Sequence, residues 1–534
     1  MLFLQARIGF RAISRVLKVL SSYIGIIKSP CPQTVSNWIT RLSIVKMQME
    51  LHIIGNHIGA NFGKGFIWLI DISIGLGSGK ILSVLALDLN YYQEHNSAPK
   101  LQDVICIATS VAASWTGETI MEFLKKVIAS VGGAPSAFLK DGGKDLEKSV
   151  RLLNENGNSC LNIADISHII ANLFKHEYGE HPLFETFISA CGKVSKNLKQ
   201  TLLASLAPPK ISAAARFMNI HRLVAWADQL LKHSPRGSAA EGSMLAKLRN
   251  SLEELPSCKT FIKQFLRDAV PLLKCQEILK NKGLNLETHK KSEELISALP
   301  VTSPIRIGFS NWAEEHLAIA TALKLETIGM PISSDSIESS FGVGKRLGTG
   351  PVKDADRIAA RLPVFCGTFT EDDARKVLGV SVEQQKQIFK EQSSLTKQRR
   401  DVLPHPGTLE TLAQSPERQN MELIMNFTKT EIMPTSLFSS TDAIIIHDDV
   451  TKKSSKFASQ SPLTSTMPLA NLTNKVVTTA NTRLLTEAVA ENSEFKKTEV
   501  ISDSDFLNNK SNPLTSELSV NTSWIFGLPC LYAF

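Results

Sequence analysis

The chain has 534 residues and a formal net charge of +8, and it is 43% hydrophobic and 21% charged. This length allows two or three domains, and this balance of residues is typical of a globular protein, which excludes a wholly disordered chain. The most hydrophobic stretch, residues 62–89, contains Lys64, Asp71, Lys80 and Asp88, a pattern that a membrane span would not tolerate. The eight cysteines are scattered without a CxxC pair, which indicates neither a zinc site nor disulfides and favours a reducing cytosol.

The first 50 residues predict two helices joined by a short loop. Apolar residues recur at helical spacing in RIGFRAISRVLKVL, and four basic residues lie between them: Arg7, Arg11, Arg15 and Lys18. In the second helix, PQTVSNWITRLSIVKM, one face is predicted to pack inward: Val35, Trp38, Ile39 and Leu42. The other face is predicted to point outward: Gln33, Ser36, Asn37 and Arg41. Such a pair is typical of a helix-turn-helix, whose second helix enters the major groove of DNA, and a helical hairpin capping the core is the alternative.

Residues 62–153 predict strand, turn, strand, strand, helix, strand and helix. In FIWLIDISI the side chains alternate, so Leu69, Asp71 and Ser73 share one face of a strand. A carboxylate among so many buried neighbours is costly to desolvate unless it is protonated, paired or bound to a cation. The following GLGSGK lacks the residue pattern of a phosphate-binding loop and is interpreted as a hairpin turn.

A second acidic residue, Asp141, follows the predicted strand at residues 137–139 and precedes Gly142 and Gly143. The strand would therefore end in a sharp turn that carries the carboxylate at its tip. This is the usual place for a functional residue in an open α/β sheet.

Residues 154–311 have helical periodicity, with breaks near residues 208–209, residues 234–237 and Pro256, and predict an all-α insertion. Near its start, Asp165 and His168 lie one helical turn apart, and we interpret them as a helix cap in preference to a support of a metal site. A basic cluster in the insertion is suited to phosphate contacts: Arg216, His221, Arg222 and Arg236. Trp226 or Trp312 could stack on an unpaired DNA base, although core packing is the preferred interpretation of both.

The third acidic residue, Glu338, lies in the amphipathic stretch SSDSIESSFGVGKR, after a predicted helix over residues 313–325. If this stretch is helical, Glu338 and Lys345 share one face because they are seven residues apart. The basic residues that follow could contact a DNA backbone or form a solvated helical face: Arg346, Lys353, Arg357 and Arg361. From residue 401 to residue 534, Ser, Thr and Asn dominate without a sustained period, which predicts a largely disordered tail.

In this order, Asp71, Asp141 and Glu338 resemble the DDE triad of bacterial insertion-sequence transposases, whose catalytic core is ribonuclease H-like. Further stretches over roughly residues 9–401 are similar to one group of these enzymes: SPCPQTVSNWITRL, WTGETIMEFLKKVI, DGGKDLEKSVRLL, ADISHIIANLFKHEY and LAPPKISAAARFMNIHRLVAWADQLL. The resemblance implies an α/β fold, a ribonuclease H-like mixed sheet flanked by helices. It divides the chain into a helix-turn-helix (1–50), a first core part (62–153), an all-α insertion (154–311), a second core part (312–400) and a tail (401–534).

The resemblance also implies chemistry and partners. Asp71, Asp141 and Glu338 would hold two Mg²⁺ or Mn²⁺ ions about 3.5–4 Å apart, for cleavage and transfer of DNA strands at the ends of a mobile element. Lys345 would face a phosphate. DNA would contact eight residues: Gln33, Ser36, Asn37, Arg41, Arg216, Arg222, Trp226 and Arg346. Because two element ends must be joined, we expect a homodimer or a larger assembly, in the bacterial cytoplasm and associated with the nucleoid.

One departure from the family pattern leaves two alternatives open. Relatives with inserted domains carry a tyrosine and an arginine upstream of the glutamate, where this chain has Pro331 and Ser334. The chain could therefore be an inactive, transposase-derived DNA-binding protein. A ribonuclease H-like nuclease that only hydrolyses is the other alternative.

Overall fold

The computed structural model describes residues 2–25, 28–48, 65–73, 79–210, 216–233, 237–347, 354–389, 400, 407 and 420–425. The chain divides into two compact units, Met1–Ser439 and Ser440–Phe534, and every described residue lies in the first unit. Among the described residues, each helix is too short or too polar to cross a lipid bilayer.

Six strands form one mixed sheet. They are β1 (Phe66–Ile72), β2 (Lys80–Asp88), β3 (Val104–Ala112), β4 (Ala137–Lys140), β5 (Leu161–Ala164) and β6 (Met421–Ile424). Their order across the sheet is β5-β4-β1-β2-β3-β6. The pairs β1–β2, β2–β3 and β3–β6 are antiparallel, and β1–β4 and β4–β5 are parallel. The predicted α/β class, a mixed sheet flanked by helices, is confirmed.

Sixteen α-helices accompany the sheet in the described part of the chain. Those up to the end of β5 are α1 (Phe10–Ile24), α2 (Pro32–Met47), α3 (Tyr91–Glu94), α4 (Gly117–Val131) and α5 (Lys144–Glu155). Between β5 and the Glu338 segment lie α6 (Ile166–Tyr178), α7 (Phe184–Leu198), α8 (Arg216–Lys232), α9 (Met244–Leu252), α10 (Lys259–Lys282), α11 (Leu286–Ile296) and α12 (Pro304–Ala322). The last four are α13 (Asp335–Leu347), α14 (Ala355–Ala359), α15 (Glu371–Gly379) and α16 (Val382–Phe389).

The sheet has an apolar core on each face. Trp68, Ile70 and Phe138 belong to the core that α4 and α5 cover. Leu69 and Leu139 belong to the other core, which includes residues of α6, α10, α12 and α13. The alternation predicted for FIWLIDISI is therefore confirmed for residues 68–70. The predicted hairpin turn GLGSGK lies mostly outside the described residues, although β1 and β2 pair on both sides of it.

Two segments join the sheet that the sequence analysis assigned elsewhere. Strand β5 falls in the range predicted as a helical insertion, yet it pairs in parallel with β4. Strand β6 falls in the predicted disordered tail, yet it pairs with β3, and Met421 and Met425 are buried. The expectation of disorder is wrong for residues 421–424. Their backbone hydrogen bonds are made with β3, which is far away in sequence. Most of the remaining tail lies outside the described residues.

Two helix predictions need correction. Helix α12 begins at Pro304, well before residue 313, because Ser303 caps it and Pro304 occupies its first turn. In α2, Val35, Ile39 and Leu42 are buried as predicted, but Trp38 is 39% exposed. The buried side of α2 instead continues through Ser36, Ser43 and Thr40.

The Trp68–Phe138 contact offers a test of the sheet core. The two rings meet edge to face, with centroids 5.9 Å apart, and neither side chain is exposed. Phe138→Ala should lower the free energy of unfolding by about 3–5 kcal/mol, because it removes buried apolar area and leaves a cavity. Tyr23→Ala, a comparable truncation at a site that is 81% exposed, should change it by only about 0.5 kcal/mol. Urea denaturation checks both, and equal losses for the two variants would contradict the assigned packing.

Candidate active site

Three parallel strands end at the same edge of the sheet, and each has an aspartate near its end. Asp71 is the last but one residue of β1, and Asp141 and Asp165 directly follow β4 and β5. Ile70 of β1 lies opposite Lys140 of β4, and Lys140 lies opposite Ala164 of β5. The next residue in each strand is therefore Asp71, Asp141 or Asp165. Neighbouring strands are about 4.8 Å apart, so these three aspartates are adjacent along the edge.

The three aspartates also follow strand residues that face the same side of the sheet. Leu69, Leu139 and Ile163, each two residues earlier, all belong to the core that α6 and α13 cover. Because side chains alternate along a strand, Asp71 is directed to that side. Helix α13 packs against β1, and Glu338 lies in the first turn of α13. The predicted helix around Glu338 is confirmed.

Asp71 carries the clearest electrostatic signal of the site. Burial, and then the nearby Asp141 and Glu338 carboxylates, raise the pKa of Asp71 from 3.8 to about 7. The N–H of Ile72, which donates to Asp71 Oδ1 at 2.6 Å, and the charge of His168 oppose this increase in pKa. Asp141 Oδ1 accepts a hydrogen bond from the N–H of Gly143 at 3.0 Å. The fold thus places Asp141 and Glu338, both distant from Asp71 in sequence, near enough for their charges to act on Asp71.

His168 adds a cationic group to this cluster. Its Nε2 lies 3.3 Å from Glu338 Oε1. This contact, and then the charges of Asp165, Asp141 and Glu338, raise the pKa of His168 from 6.5 to about 9, against the effect of burial. The imidazole is therefore protonated at neutral pH. The predicted cap is confirmed, since Asp165 Oδ1 accepts from the N–H of His168 at 2.9 Å, but the contact of the His168 side chain with Glu338 was not predicted.

The donor chemistry of the cluster fits a hard divalent cation, because three carboxylates supply only oxygen ligands and their mutual repulsion is relieved by positive charge. Within the described part of the chain, however, no three His, Cys, Asp or Glu side chains are gathered closely enough to hold one metal ion. The Glu338 carboxylate lies against His168 instead. The residues present therefore match a metal in type, and the Glu338 carboxylate would have to move closer to Asp71 and Asp141 to share one ion with them.

Lys345 and Arg346 lie in the last turn of α13, where both side chains are exposed. Seven residues separate Glu338 from Lys345, which places both on one side of the helix. Arg346 Nε donates to the carbonyl oxygen of Gly342 at 3.2 Å. Lys345 is thus accessible on the face that begins at Glu338.

The face of α2 that was predicted to read DNA is largely covered. Ser36 is only 9% exposed and accepts a hydrogen bond from Arg361 Nη2 at 3.0 Å. Arg41 Nε donates to Gln385 Oε1 at 3.1 Å, and Gln385 Nε2 donates to Asn37 Oδ1 at 3.0 Å. The prediction that Ser36, Asn37 and Arg41 point freely outward is wrong, because residues more than 320 positions later pack over them. Gln33 is exposed.

Helix α1 presents the basic surface that α2 lacks. Arg11, Arg15 and Lys18 follow one another at helical spacing, and all three are exposed. Residues 1–49 contain neither Asp nor Glu, so no acidic side chain near in sequence neutralises them. The opposite side of α1 is buried through Ile13, and Phe10 lies under the Arg361 guanidinium, 4.8 Å from its ring centroid.

The basic cluster of the helical region is only partly present. Arg222 is exposed, but burial and then Arg222 itself lower the pKa of His221 to about 4, so His221 is neutral. Trp226 donates from Nε1 to the carbonyl oxygen of Leu206 at 3.1 Å, and Trp312 is 5% exposed, so both pack in the core. The side chain of Arg216, and all of Arg236 and Lys353, lie outside the described residues.

No protein-family model matches this chain, and no curated protein does.

The pKa shifts predict how stability depends on pH. Between about pH 4 and pH 7 the folded state keeps a proton on Asp71 that the unfolded state releases, so the free energy of unfolding falls as pH rises. His168 extends this fall from about pH 6.5 to pH 9, because its folded pKa is also raised. Asp71→Asn should remove on the order of 3 kcal/mol of this dependence below pH 7.

Urea denaturation from pH 4 to pH 9 in the presence of a chelator provides the measurement. Asp88→Asn, at the far end of the neighbouring strand β2, is the control and should keep the wild-type slope. Equal slopes for the wild type and Asp71→Asn between pH 4 and pH 7 would contradict the assignment.

Proposed function

We propose that this chain is a DDE-type DNA transposase with a ribonuclease H-like core. The observation that carries the proposal is the position of Asp141 and Glu338 near the buried Asp71: after burial, their carboxylates raise the pKa of Asp71, although 197 residues separate the two (338 − 141). Two of them come from neighbouring parallel strand ends and the third from a helix that packs on the same face. An acidic cluster at such an edge is suited to bind cations for phosphodiester chemistry.

The arrangement of the sheet supports the same proposal. Strands β1, β2 and β3, helix α4, strand β4 and helix α5 follow one another in the succession that the family resemblance implies for the first part of the core. After β5, helices α6–α12 precede α13, which contributes Glu338. This agrees with a helical insertion before the last acidic residue.

Asp71, Asp141 and Glu338 would hold two Mg²⁺ or Mn²⁺ ions, which when bound activate a water or a 3′-hydroxyl group and stabilise the leaving oxygen. Cation binding would favour the charged form of Asp71 and lower its pKa from about 7. Lys345, exposed at the far end of α13, would contact a phosphate of the DNA strand. Asp141 keeps its orientation through the N–H of Gly143.

DNA is the proposed partner, and α1 is its proposed first contact. Arg11, Arg15 and Lys18 provide an exposed basic row, and phosphates are bound mainly by such side chains. Arg222, Arg346 and Gln33 remain further candidates because they are exposed. Two element ends have to be joined, so the active form would be at least a homodimer, bound to DNA in the bacterial cytoplasm.

A DNA-binding remnant without activity remains the second proposal. The observation that favours it is that, within the described residues, Asp71, Asp141 and Glu338 are not gathered closely enough to hold one metal ion. A nuclease that only hydrolyses is the third. A strand-transfer assay with Mn²⁺ and DNA carrying the element ends separates them: joined products support a transposase, cleavage alone supports a nuclease, and binding alone supports the remnant.

Asp141→Asn tests the catalytic role of this carboxylate. The variant should lose DNA cleavage and strand transfer, and it should lose the stabilisation that Mn²⁺ gives the wild type in thermal unfolding, because one anionic ligand is gone. Binding of end DNA in a gel-shift assay should stay unchanged. Asp145→Asn is the matched control, since Asp145 is exposed in the first turn of α5. Cleavage retained in Asp141→Asn would remove Asp141 from the mechanism.

A triple variant, Arg11→Ala, Arg15→Ala and Lys18→Ala, tests the α1 surface. If each residue contacts one phosphate, the slope of log K against log salt should decrease by about 3 in magnitude. A charge-matched control replaces exposed lysines of α10: Lys259, Lys263 and Lys274. Fluorescence anisotropy at several salt concentrations provides the measurement, and equal slopes for the two triple variants would reject α1 as the contact.

A further inference from the structure

Asp165 is a buried carboxylate whose hydrogen bonds join two separate elements. Its side chain is 1% exposed. Oδ1 accepts from the N–H of His168 at 2.9 Å, which caps α6. Oδ2 accepts from the N–H of Ser334 at 2.7 Å and from the Ser334 hydroxyl at 3.0 Å. The Asp165 carboxylate thus accepts hydrogen bonds both from the start of α6 and from Ser334, the residue just before α13.

Other contacts hold the same junction. The N–H of Ile166 donates to the carbonyl oxygen of Ile332 at 3.0 Å. Lys280 of α10 donates to Asp335 Oδ2 at 2.6 Å, in the first turn of α13. The N–H of Asp165 in turn donates to the carbonyl oxygen of Lys140, the residue before Asp141. The start of α13 is therefore tied to the strand edge that carries Asp141.

His168 continues this connection to the Glu338 carboxylate. It stands three residues after Asp165, in the first turn of α6, and its Nε2 lies 3.3 Å from Glu338 Oε1. Glu338 itself is exposed, so without the His168 contact its side chain could adopt several rotamers. Repulsion by Asp71 and Asp141 would drive its carboxylate away from the strand ends.

We propose that Asp165 and His168 are positioning residues for Glu338: Asp165 fixes the start of α13 through Ser334, and His168 holds the Glu338 carboxylate beside the strand ends. The role assigned to Glu338 rests on the proposed function, whereas the hydrogen bonds that position it do not. Neither residue needs to touch DNA. Outer partners of this kind typically contribute 10–100-fold to activity when they orient a ligand.

Asp165→Asn tests the positioning role by hydrogen exchange. Three donors face the Asp165 carboxylate, and an amide nitrogen cannot accept from any of them, so Ser334 or His168 loses its partner. Backbone amides of residues 337–341 should then exchange on the order of tenfold faster than in the wild type. Ser334→Ala, which removes only the hydroxyl, should give a smaller increase at the same amides and serves if Asp165→Asn fails to fold.

Asp268→Asn is the matched control. Asp268 is 3% exposed and also accepts three hydrogen bonds, from the Tyr178 hydroxyl and from two nitrogens of Arg267. It should lower global stability without selective exchange at residues 337–341. Equal exchange at these amides in both variants, or none in Asp165→Asn, would overturn the proposal.

Kinetics separate the positioning role from the proposed function. In the strand-cleavage assay, Asp165→Asn and His168→Gln should lower kcat by about 10–100-fold with an unchanged KM for end DNA, because the DNA surface is intact. If the wild type does not cleave DNA, the proposed function fails, and hydrogen exchange still decides whether Asp165 fixes α13. If the wild type cleaves and both variants keep its kcat, the positioning role is wrong.

Discussion

The parallel pairing of β4 with both β1 and β5 is the constraint on which the site depends. Parallel strands end at one edge, so the residues after Ile70, Lys140 and Ala164 become neighbours although they are up to 94 positions apart (165 − 71). An antiparallel arrangement of the same strands would place these aspartates at opposite edges. The register also matters, because a shift by one residue would direct the aspartates to the other face of the sheet.

Bringing carboxylates together has an electrostatic cost that the surrounding structure has to offset. Burial, and then the nearby Asp141 and Glu338 carboxylates, raise the pKa of Asp71 to about 7, and His168 supplies a positive charge next to Glu338. Asp165 differs from both, because it receives three hydrogen bonds and connects α6 to α13. The two adjacent aspartates therefore have distinct roles. Asp141 is available for binding at the end of its strand, whereas the Asp165 carboxylate is occupied by hydrogen bonds that connect α6 to α13.

The amino-terminal helices illustrate how a covered surface changes a functional interpretation. The polar face of α2 has the composition of a DNA-reading helix, yet Arg361 and Gln385 occupy its hydrogen-bonding groups. The basic row of α1 stays accessible. Composition alone does not distinguish these faces, since both carry arginine and polar side chains between apolar residues.

Local patterns determined much of this protein by themselves. The alternation around Asp71, the strand-end position of Asp141, the cap at Asp165 and the helix that carries Glu338 all follow from nearby residues, because strand and helix periods are local properties. Only the tertiary structure decided which strands pair and which side chains come into contact. It added β5 and β6 to the sheet, turned Glu338 towards His168, joined Asp165 to Ser334 and covered Ser36 and Arg41. Each of these contacts links residues remote in sequence, and no local period records which distant partner supplies a hydrogen bond or a charge.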